Sequence, residues 1–526
     1  MLRLRYQSVV HSIFGAIFIF ASGYFTYVLF KTIQQPPLDL WGFRPAQTLI
    51  SVPYMLSEGG WLKNIVPVFG EPWLLPQEFP LYQWIVAISV KLSGISVSAA
   101  GRIVSAFFAV ACVVPIYLIG KTLTPENKSL FGIVVGALWL TSPAVIFWGR
   151  STLIETTAIF LSLFWLYFYI NYIKNGALRD LTLCILVGSL ASTVKITAFA
   201  GFVVAGFLYS LVVGFYQREH LFAFLKRFML SGLCVIIPAI ALLSWGHWTS
   251  SVWKENPLAS MITVGNHLTW YFGVPSDRWD SALWSWVIGT RTLPDYFGRN
   301  WIFLVFIFAA AGIFERRIPC MLALSLCFIS GYIIFPRLFM YNIYYEIETV
   351  VFILAIFGVV ICAVFQSRRY VASLLLLALA LWFQIDALYT SSYGTVLASD
   401  LRNHPYYMAS EKISAVTDPQ SVVIVFGTGW GADIPLLSER RGIVISNMFE
   451  GAAEAMLFTD RAKWLGGRHI GAIVDCNVFQ SQTTSSKLQV VKERLVTELA
   501  NLSEDFVATP GPDMVPSPHC RVYLVK

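Results

Sequence analysis

The sequence PPLDLWGFRPAQTLISVPYMLSEGGWLKNIVPVFGEPWLLPQEFPLYQW, residues 36–84, decides how the rest of the chain is understood. It follows an apolar run, His11 to Leu29, that is long enough to cross a bilayer. Transporters usually join their first two spans by a short turn. Here about fifty residues intervene, and they carry the charged residues Asp39, Arg44, Glu58, Lys63, Glu71 and Glu78. The stretch predicts a structure built outside the membrane surface, directly after the first span.

The composition is that of a membrane protein. Hydrophobic residues make up 57% of the chain and charged residues 13%, with a mean hydropathy of +0.66, which excludes a soluble domain of this length. The aromatic content of 15% is typical of side chains at membrane interfaces. The net charge of +7 is explained by its placement in loops, and no nucleic-acid partner is expected. We find no convincing cleavable signal peptide.

Apolar runs near the spanning length of ~20 residues recur along the chain. They predict eleven spans, near 10–31, 102–120, 129–148, 152–173, 180–194, 197–215, 228–246, 301–315, 319–335, 343–366 and 371–390. Every second connection is short and basic, as expected of cytoplasmic loops. The sequence therefore predicts a multi-pass protein of the plasma (inner) membrane, with a cytoplasmic amino terminus and an extracytoplasmic carboxyl end.

Three regions are expected outside the membrane. The segment 81–92 is too short to span, so we expect it to lie at the outer surface within a first outer loop, 32–100. A second large outer loop covers 247–300 and is rich in tryptophan. Residues 1–390 are thus predicted as a transmembrane domain, and 391–526 as an extracytoplasmic α/β domain. Strand-like runs in that tail are 421–426, 442–446, 470–475 and 521–525, and helix-like runs lie around 405–416 and 484–500.

The cysteines and histidines give little sign of a metal site. Six of the eight cysteines fall inside predicted spans, while Cys476 and Cys520 lie near the ends of two predicted strands and are candidates for a disulfide. No CxxC motif or cluster with histidine suggests zinc. The sequence leaves open whether a divalent cation, Mg²⁺ or Mn²⁺, assists a reaction.

Ionisable residues at the ends of predicted spans are the candidates for chemistry, because each costs about 2.5–3.5 kcal/mol at the bilayer centre unless it faces protein or water. They occur in four places that all fall on the predicted outer side: Arg150 with Glu155, Lys195, Arg337 with Glu346 and Glu348, and the opening segment. Arg150 also fits a simple anchor at a span end, and Lys195 fits an anchor or an anion ligand equally well. Glu346 and Glu348 are interpreted as structural, and GTGWG at 427–431 as a plain turn.

This arrangement fits transfer from a lipid-anchored phosphate. The donor would place its phosphate beside cations such as Arg337 or Lys195, and its tail in a groove between spans. A carboxylate could then deprotonate an incoming hydroxyl or amine, while the cations stabilise charge on the leaving phosphate.

Five short motifs in order also resemble a known family. They are EFPLYQW at 78–84, AGR at 100–102, SPxxIxxxR with a later acid at 142–155, VKIT at 194–197 and the tyrosine-rich stretch 341–346. Together they resemble the C-type glycosyltransferases, polytopic enzymes that use polyprenyl-phosphate sugars and include protein O-mannosyltransferases and lipid A aminoarabinose transferases. The resemblance covers most of residues 1–370.

The resemblance implies inverting transfer by direct displacement, with an acid of the first outer loop as base. The usual Asp-Glu pair after the first span is absent here, and Gln47 stands where some relatives carry Asp. Asp39 is the first choice for the base and Glu78 the second, with Glu155 as partner carboxylate. The candidates for binding substrate or phosphate are Arg44, Gln47, Arg150, Lys195, Arg337, Tyr344 and Tyr345.

The expected partners are a polyprenyl-phosphate-linked sugar, membrane lipids, and an acceptor that is a glycan, a lipid or a protein. Two other classes stay open: a transporter or flippase, and a non-catalytic scaffold for envelope assembly. The long outer segments and the absence of paired half-repeats argue against a transporter.

Overall fold

A bundle of helices followed by a small α/β unit makes up the protein in the computed structural model. The structure describes residues 2–40, 43–123, 129–216, 221–263, 268–476, 486–499, 506–508 and 519–525. The first half of the bundle consists of α1 Leu2–Thr32, α2 Phe43–Leu49, α3 Ser51–Glu58, α4 Leu81–Ser93, α5 Val97–Ala111, α6 Val113–Leu123, α7 Leu130–Thr141, α8 Pro143–Gly149, α9 Glu155–Asn175, α10 Leu178–Val194 and α11 Ile196–Tyr216.

The second half of the bundle contains the remaining long apolar helices. Its helices are α12 Leu221–Ser231, α13 Leu233–Trp253, α14 Pro257–Met261, α15 Leu268–Phe272, α16 Leu293–Phe297, α17 Trp301–Phe314, α18 Ile318–Ile334, α19 Pro336–Tyr341, α20 Ile347–Gln366, α21 Tyr370–Thr390 and α22 Ser392–Ala398, and a π-helical stretch covers Ala282–Thr292. Buried residues of α7, α9 and α20 form the centre of the bundle.

Seven helical segments of the described chain are long and apolar enough to cross a membrane, and two bent pairs raise that number to nine. The bent pairs are α7 with α8, at 66°, and the 282–297 segment with α17, at 83°. Each of the eleven predicted spans contains a helix, but α10 and α18, at 17 residues each, are shorter than the length required to span. The count of eleven and the orientation therefore stay predictions. The segment predicted to be interfacial is the 13-residue helix α4.

The α/β unit after residue 391 contains a five-stranded sheet. Its elements are α23 Pro405–Val416, β1 Val422–Phe426, α24 Asp433–Ser438, β2 Arg441–Ile445, α25 Glu450–Glu454, α26 Arg461–Leu465, β3 Ile470–Cys476, α27 Ser486–Leu499, β4 Phe506–Ala508 and β5 Cys520–Leu524. The strand order is β2-β1-β3-β5-β4, with β1, β2 and β3 parallel and β5 antiparallel to β3 and β4. All four predicted strands are confirmed, and Cys476 is bonded to Cys520. Residues 484, 485 and 500 of the predicted last helix lie outside the described residues.

The core of the α/β unit extends beyond that unit. We name residues 33–80, between α1 and α4, the first connecting segment. Val66, Val68 and Trp73 of this segment are buried in the same apolar cluster as the strands, together with Trp253, the last residue of α13. Backbone bonds add to this packing, because Gly442 N donates to Pro67 O at 2.9 Å and Val444 N donates to Val68 O at 2.7 Å. The first connecting segment thus covers the β2 edge of the sheet.

Candidate active site

Two ion pairs from distant parts of the chain meet at the end of the bundle beneath the α/β unit. Arg44 of α2 pairs with Glu78, which lies just before α4. Lys195, between α10 and α11, pairs with Glu155 at the start of α9, with 2.6 Å between Nζ and Oε1. The charges of the two pairs act on one another, since Lys195 favours the ionised form of Glu78 and Glu155 favours the charged form of Arg44. These four predicted site residues are therefore gathered in one place.

The backbone explains why Lys195 points inward. It is an extended residue, with φ −162° and ψ 99°, inserted between the end of α10 and the start of α11. This break turns its side chain into the protein, where it is 4% exposed. Its ammonium lies 5.2 Å from the ring centre of Tyr344 and 4.5 Å from that of Tyr345, within the range of a cation–π contact. Both predicted tyrosines thus line the same site.

Glu155 and Glu78 differ in the solvent exposure of their side chains. Glu155 begins α9, where a carboxylate is favoured by the helix dipole, and it is fully buried. Glu78 keeps 27% of its side chain exposed. Burial alone would raise the pKa of Glu78, but Arg44 and Lys195 hold the pKa below its usual value. Glu78 is therefore an ionised carboxylate that an incoming group can reach.

Gln47 connects this site to the α/β unit. It lies one turn after Arg44 on α2 and accepts from Arg44 Nη1 at 3.5 Å. Its Nε2 donates to the backbone oxygen of Trp430 at 3.2 Å. Arg44 Nη1 also donates to Gln77 Oε1 at 2.6 Å.

Glu348 joins the site, although the sequence reasoning assigned it a structural role. Its Oε1 accepts from Thr197 Oγ1 at 2.9 Å, and Thr197 lies two positions after Lys195. Within the described part of the chain, Oε2 of Glu155 and Oε2 of Glu348 are buried without a hydrogen-bond partner. Buried acceptors without partners are costly, so these two oxygens are suited to donors on a bound molecule.

Asp39 and Arg150 lie in a neighbouring buried cluster. Arg102 Nη1 lies 3.0 Å from Asp39 Oδ2, and Arg150 Nη2 lies 2.9 Å from Asp39 Oδ1. Arg102 also donates to the backbone oxygens of Gln35 and Pro36, so the cluster fastens the first connecting segment to α5. Burial alone would raise the pKa of Asp39, but the two guanidinium groups hold the pKa below its usual value. Asp39 is fully buried, and this arrangement does not favour it as a base.

Arg337 is not brought into the cluster of Arg44 and Lys195. Its Nε lies 2.7 Å from Asp277 Oδ2, and a third of its side chain is exposed. Glu346 likewise lies in a separate pair, 2.7 Å from Arg291 Nε, and accepts from Thr292 at 2.9 Å.

No group of three or more His, Cys, Asp or Glu side chains in the described ranges could hold a metal ion. The described residues of the site therefore do not form a metal cage of their own.

The sequence reasoning missed three residues of the site. Thr197 belongs to the VKIT motif and Gln77 directly precedes the EFPLYQW motif, so the motifs at these two places gave a usable signal. Tyr271 of α15, whose hydroxyl is acted on by the charges of Glu78, Arg44 and Lys195, lies in a segment with no such signal.

Comparison with known proteins agrees with the motifs. Residues 76–245 match the model of the family described as dolichyl-phosphate-mannose-protein mannosyltransferase. These residues contain Glu78, Glu155 and Lys195 but not α2. Among curated protein sequences, none matches the chain significantly.

The fold of the whole chain is similar to that of a solved structure. ArnT from Cupriavidus metallidurans bound to undecaprenyl phosphate superposes with a TM-score of 0.60 at 12% identity, over 96% of this chain and 97% of that one. ArnT in the apo state gives 0.57 at 13% identity, with the same coverage. The chain is thus similar to the C-type glycosyltransferases, and the resemblance read from its motifs is confirmed.

Proposed function

We propose that this protein is a membrane glycosyltransferase that moves a sugar from a polyprenyl-phosphate donor to an acceptor hydroxyl or amine. The observation that carries the proposal is the meeting of Arg44, Glu78, Lys195 and Glu155 beside two tyrosines, at one end of an apolar bundle. The undecaprenyl phosphate bound to ArnT, which has the same fold, supports a lipid phosphate as the donor's carrier.

Each group has a task in this reaction. Glu78 takes the proton of the acceptor while the acceptor atom attacks the anomeric carbon from the side opposite the phosphate. The bond between the anomeric carbon and the phosphate oxygen breaks, and its electron pair stays on the phosphate. Lys195 stabilises that charge in a site from which much of the water is excluded. Glu155 orients Lys195, and its free oxygen accepts a hydrogen bond from the sugar or the acceptor.

Glu78 replaces Asp39 as our preferred base. One oxygen of Asp39 lies 3.0 Å from Arg102 and the other 2.9 Å from Arg150, and the side chain is buried, whereas Glu78 is partly accessible and its charge is acted on by Lys195. The Arg44 guanidinium keeps Glu78 ionised, so the carboxylate can take up the acceptor proton.

Transfer in lipid nanodiscs tests the proposal. We expect Lys195→Met to lower release of polyprenyl phosphate from a polyprenyl-phosphate sugar about 10²-fold or more, because one charge-stabilising donor is typically worth that much. Lys195→Arg keeps the charge and retains part of the rate. The control is Arg369→Gln, since Arg369 pairs with Glu315 at the other end of α20, about 30 Å away at 1.5 Å per residue.

The same assay decides between the classes. Equal release by the wild type and Lys195→Met, with both proteins folded, contradicts the proposal. Binding of the donor without transfer or hydrolysis indicates a scaffold, and movement of the donor between leaflets indicates a flippase.

A further inference from the structure

We infer that the loop Gly427–Gly431 (GTGWG) of the α/β unit is a positioning element of the candidate active site. Through Trp430 it holds the helix that carries Arg44 and Gln47. This inference rests on the proposed function for its kinetic consequence, but its structural content can be tested by itself.

Two glycines with positive φ shape the turn that follows β1. Gly427 follows β1 with φ +82°, and a Cβ at this position would lie 1.7 Å from the backbone oxygen of Cys476. Gly429 has φ +63°, a conformation that other residues rarely adopt. Cys476 itself is joined to Cys520 at the end of β3. The loop thus begins beside the disulfide-bonded Cys476 at the end of the sheet.

Trp430 contacts the first connecting segment from two sides. Its ring centre lies 5.0 Å from that of Phe43 in an edge-to-face arrangement and 6.0 Å from that of Phe69. Phe43 is the first residue of α2 and directly precedes Arg44. Ring pairs of this kind stabilise the packing beyond the apolar area that they bury.

A chain of polar contacts continues from Trp430 to the proposed base. The backbone oxygen of Trp430 accepts from Gln47, Gln47 accepts from Arg44, and Arg44 pairs with Glu78. α2 has only seven residues and is too short to be stable by itself. Its orientation therefore depends on its neighbours, and Trp430 contacts it at both its first turn and its second.

We expect removal of the Trp430 ring to change the position of Arg44 relative to Glu78. Without Trp430, α2 loses a ring contact and the Arg44 guanidinium is held less firmly against Glu78. Reacting groups displaced by about 1 Å can lose up to 10²-fold in rate, while binding of the donor by Lys195 is unaffected. We therefore expect a fall in kcat with little change in the KM for the donor.

The experiment combines amide hydrogen exchange with kinetics on the full-length protein in nanodiscs. In Trp430→Ala we expect exchange within residues 43–49 to rise about tenfold while β1 and β3 keep their protection. We expect kcat to fall about tenfold, with the donor KM within about threefold of the wild type. Trp430→Phe restores most of both values, and Gln47→Leu reproduces the fall in kcat. Trp279→Ala is the control, because Trp279 is 84% exposed in the 275–279 turn.

Two results overturn the inference. One is unchanged exchange at residues 43–49 in both Trp430→Ala and Gln47→Leu. The other is an equal loss of protection in β1, which would make Trp430 an ordinary core residue of the α/β unit. If the wild type transfers no sugar, the proposed function fails, while the exchange data still decide whether the loop holds α2.

Discussion

Asp39 and Glu78 are carboxylates of the same connecting segment with opposite surroundings. Asp39 is buried between Arg102 and Arg150, with one guanidinium near each oxygen, whereas Glu78 has one arginine and an exposed fraction of 27%. The sequence alone could not separate them, because Arg102 and Arg150 are more than sixty positions away from Asp39 along the chain. Which carboxylate faces a cavity is decided by tertiary contacts, so the choice of base was the least predictable part of the site.

This difference predicts different consequences for two conservative changes. We expect Asp39→Asn to lower the free energy of unfolding by about 3–5 kcal/mol, because it leaves two buried guanidinium groups without their counter-charge. Glu78→Gln removes the counter-charge of only one guanidinium, that of Arg44, and should lower the melting temperature less than Asp39→Asn while abolishing transfer. Thermal unfolding and the nanodisc transfer assay measure the two effects. Full activity of Glu78→Gln would exclude it as the base.

At the scale of elements, the predictions were most accurate where a pattern is local. Helices lie in every predicted span and strands at all four predicted positions, because hydrophobic length and alternation are read within one segment. The three-residue β4 gave no such pattern. The Lys195–Glu155 pair was anticipated only as two separate charges on the same side. The backbone bonds from β2 to Pro67 and Val68 were not predicted, because no pattern within either segment indicates a contact with the other.

The start of α24 contains a buried acid with a measurable consequence. Burial raises the pKa of Asp433 from 3.8 to about 7, and its Oδ1 has no hydrogen-bond partner among the described residues. Because the folded state holds this proton more tightly, stability is full below pH 3.8 and decreases as the pH rises toward 7. Asp433→Asn should therefore melt higher than the wild type at pH 8, and the gain should shrink toward pH 4.

Melting curves of the two proteins between pH 4 and 8 measure this effect. Asp460→Asn, at an exposed position of the same unit, is the control. A difference between Asp433→Asn and the wild type that is independent of pH would contradict the assignment.

At the scale of the whole molecule, residues on both sides of the predicted boundary near residue 391 belong to one apolar core. Val66, Val68, Trp73 and Trp253 complete the apolar cluster around the strands. Without these four residues, an apolar face of the sheet would be exposed to solvent. We therefore expect residues 391–526, produced alone, to aggregate and to give no cooperative thermal unfolding. Circular dichroism and dispersion of amide resonances measure this. A well-dispersed spectrum with a sharp melt would show that the unit folds independently.

The hydrogen bond between Val68 and Val444 can form only late in biosynthesis. The two residues are roughly 380 positions apart, so at about 5–20 residues per second Val68 leaves the ribosome roughly 20–75 s before Val444. During that interval the segment around Pro67 exposes backbone groups and apolar side chains that its final partner will cover. A nascent chain in this state is open to wrong strand pairing. Its maturation thus depends on the last quarter of the protein being synthesised, and chaperones that shield extended segments are the factors expected to bridge the delay.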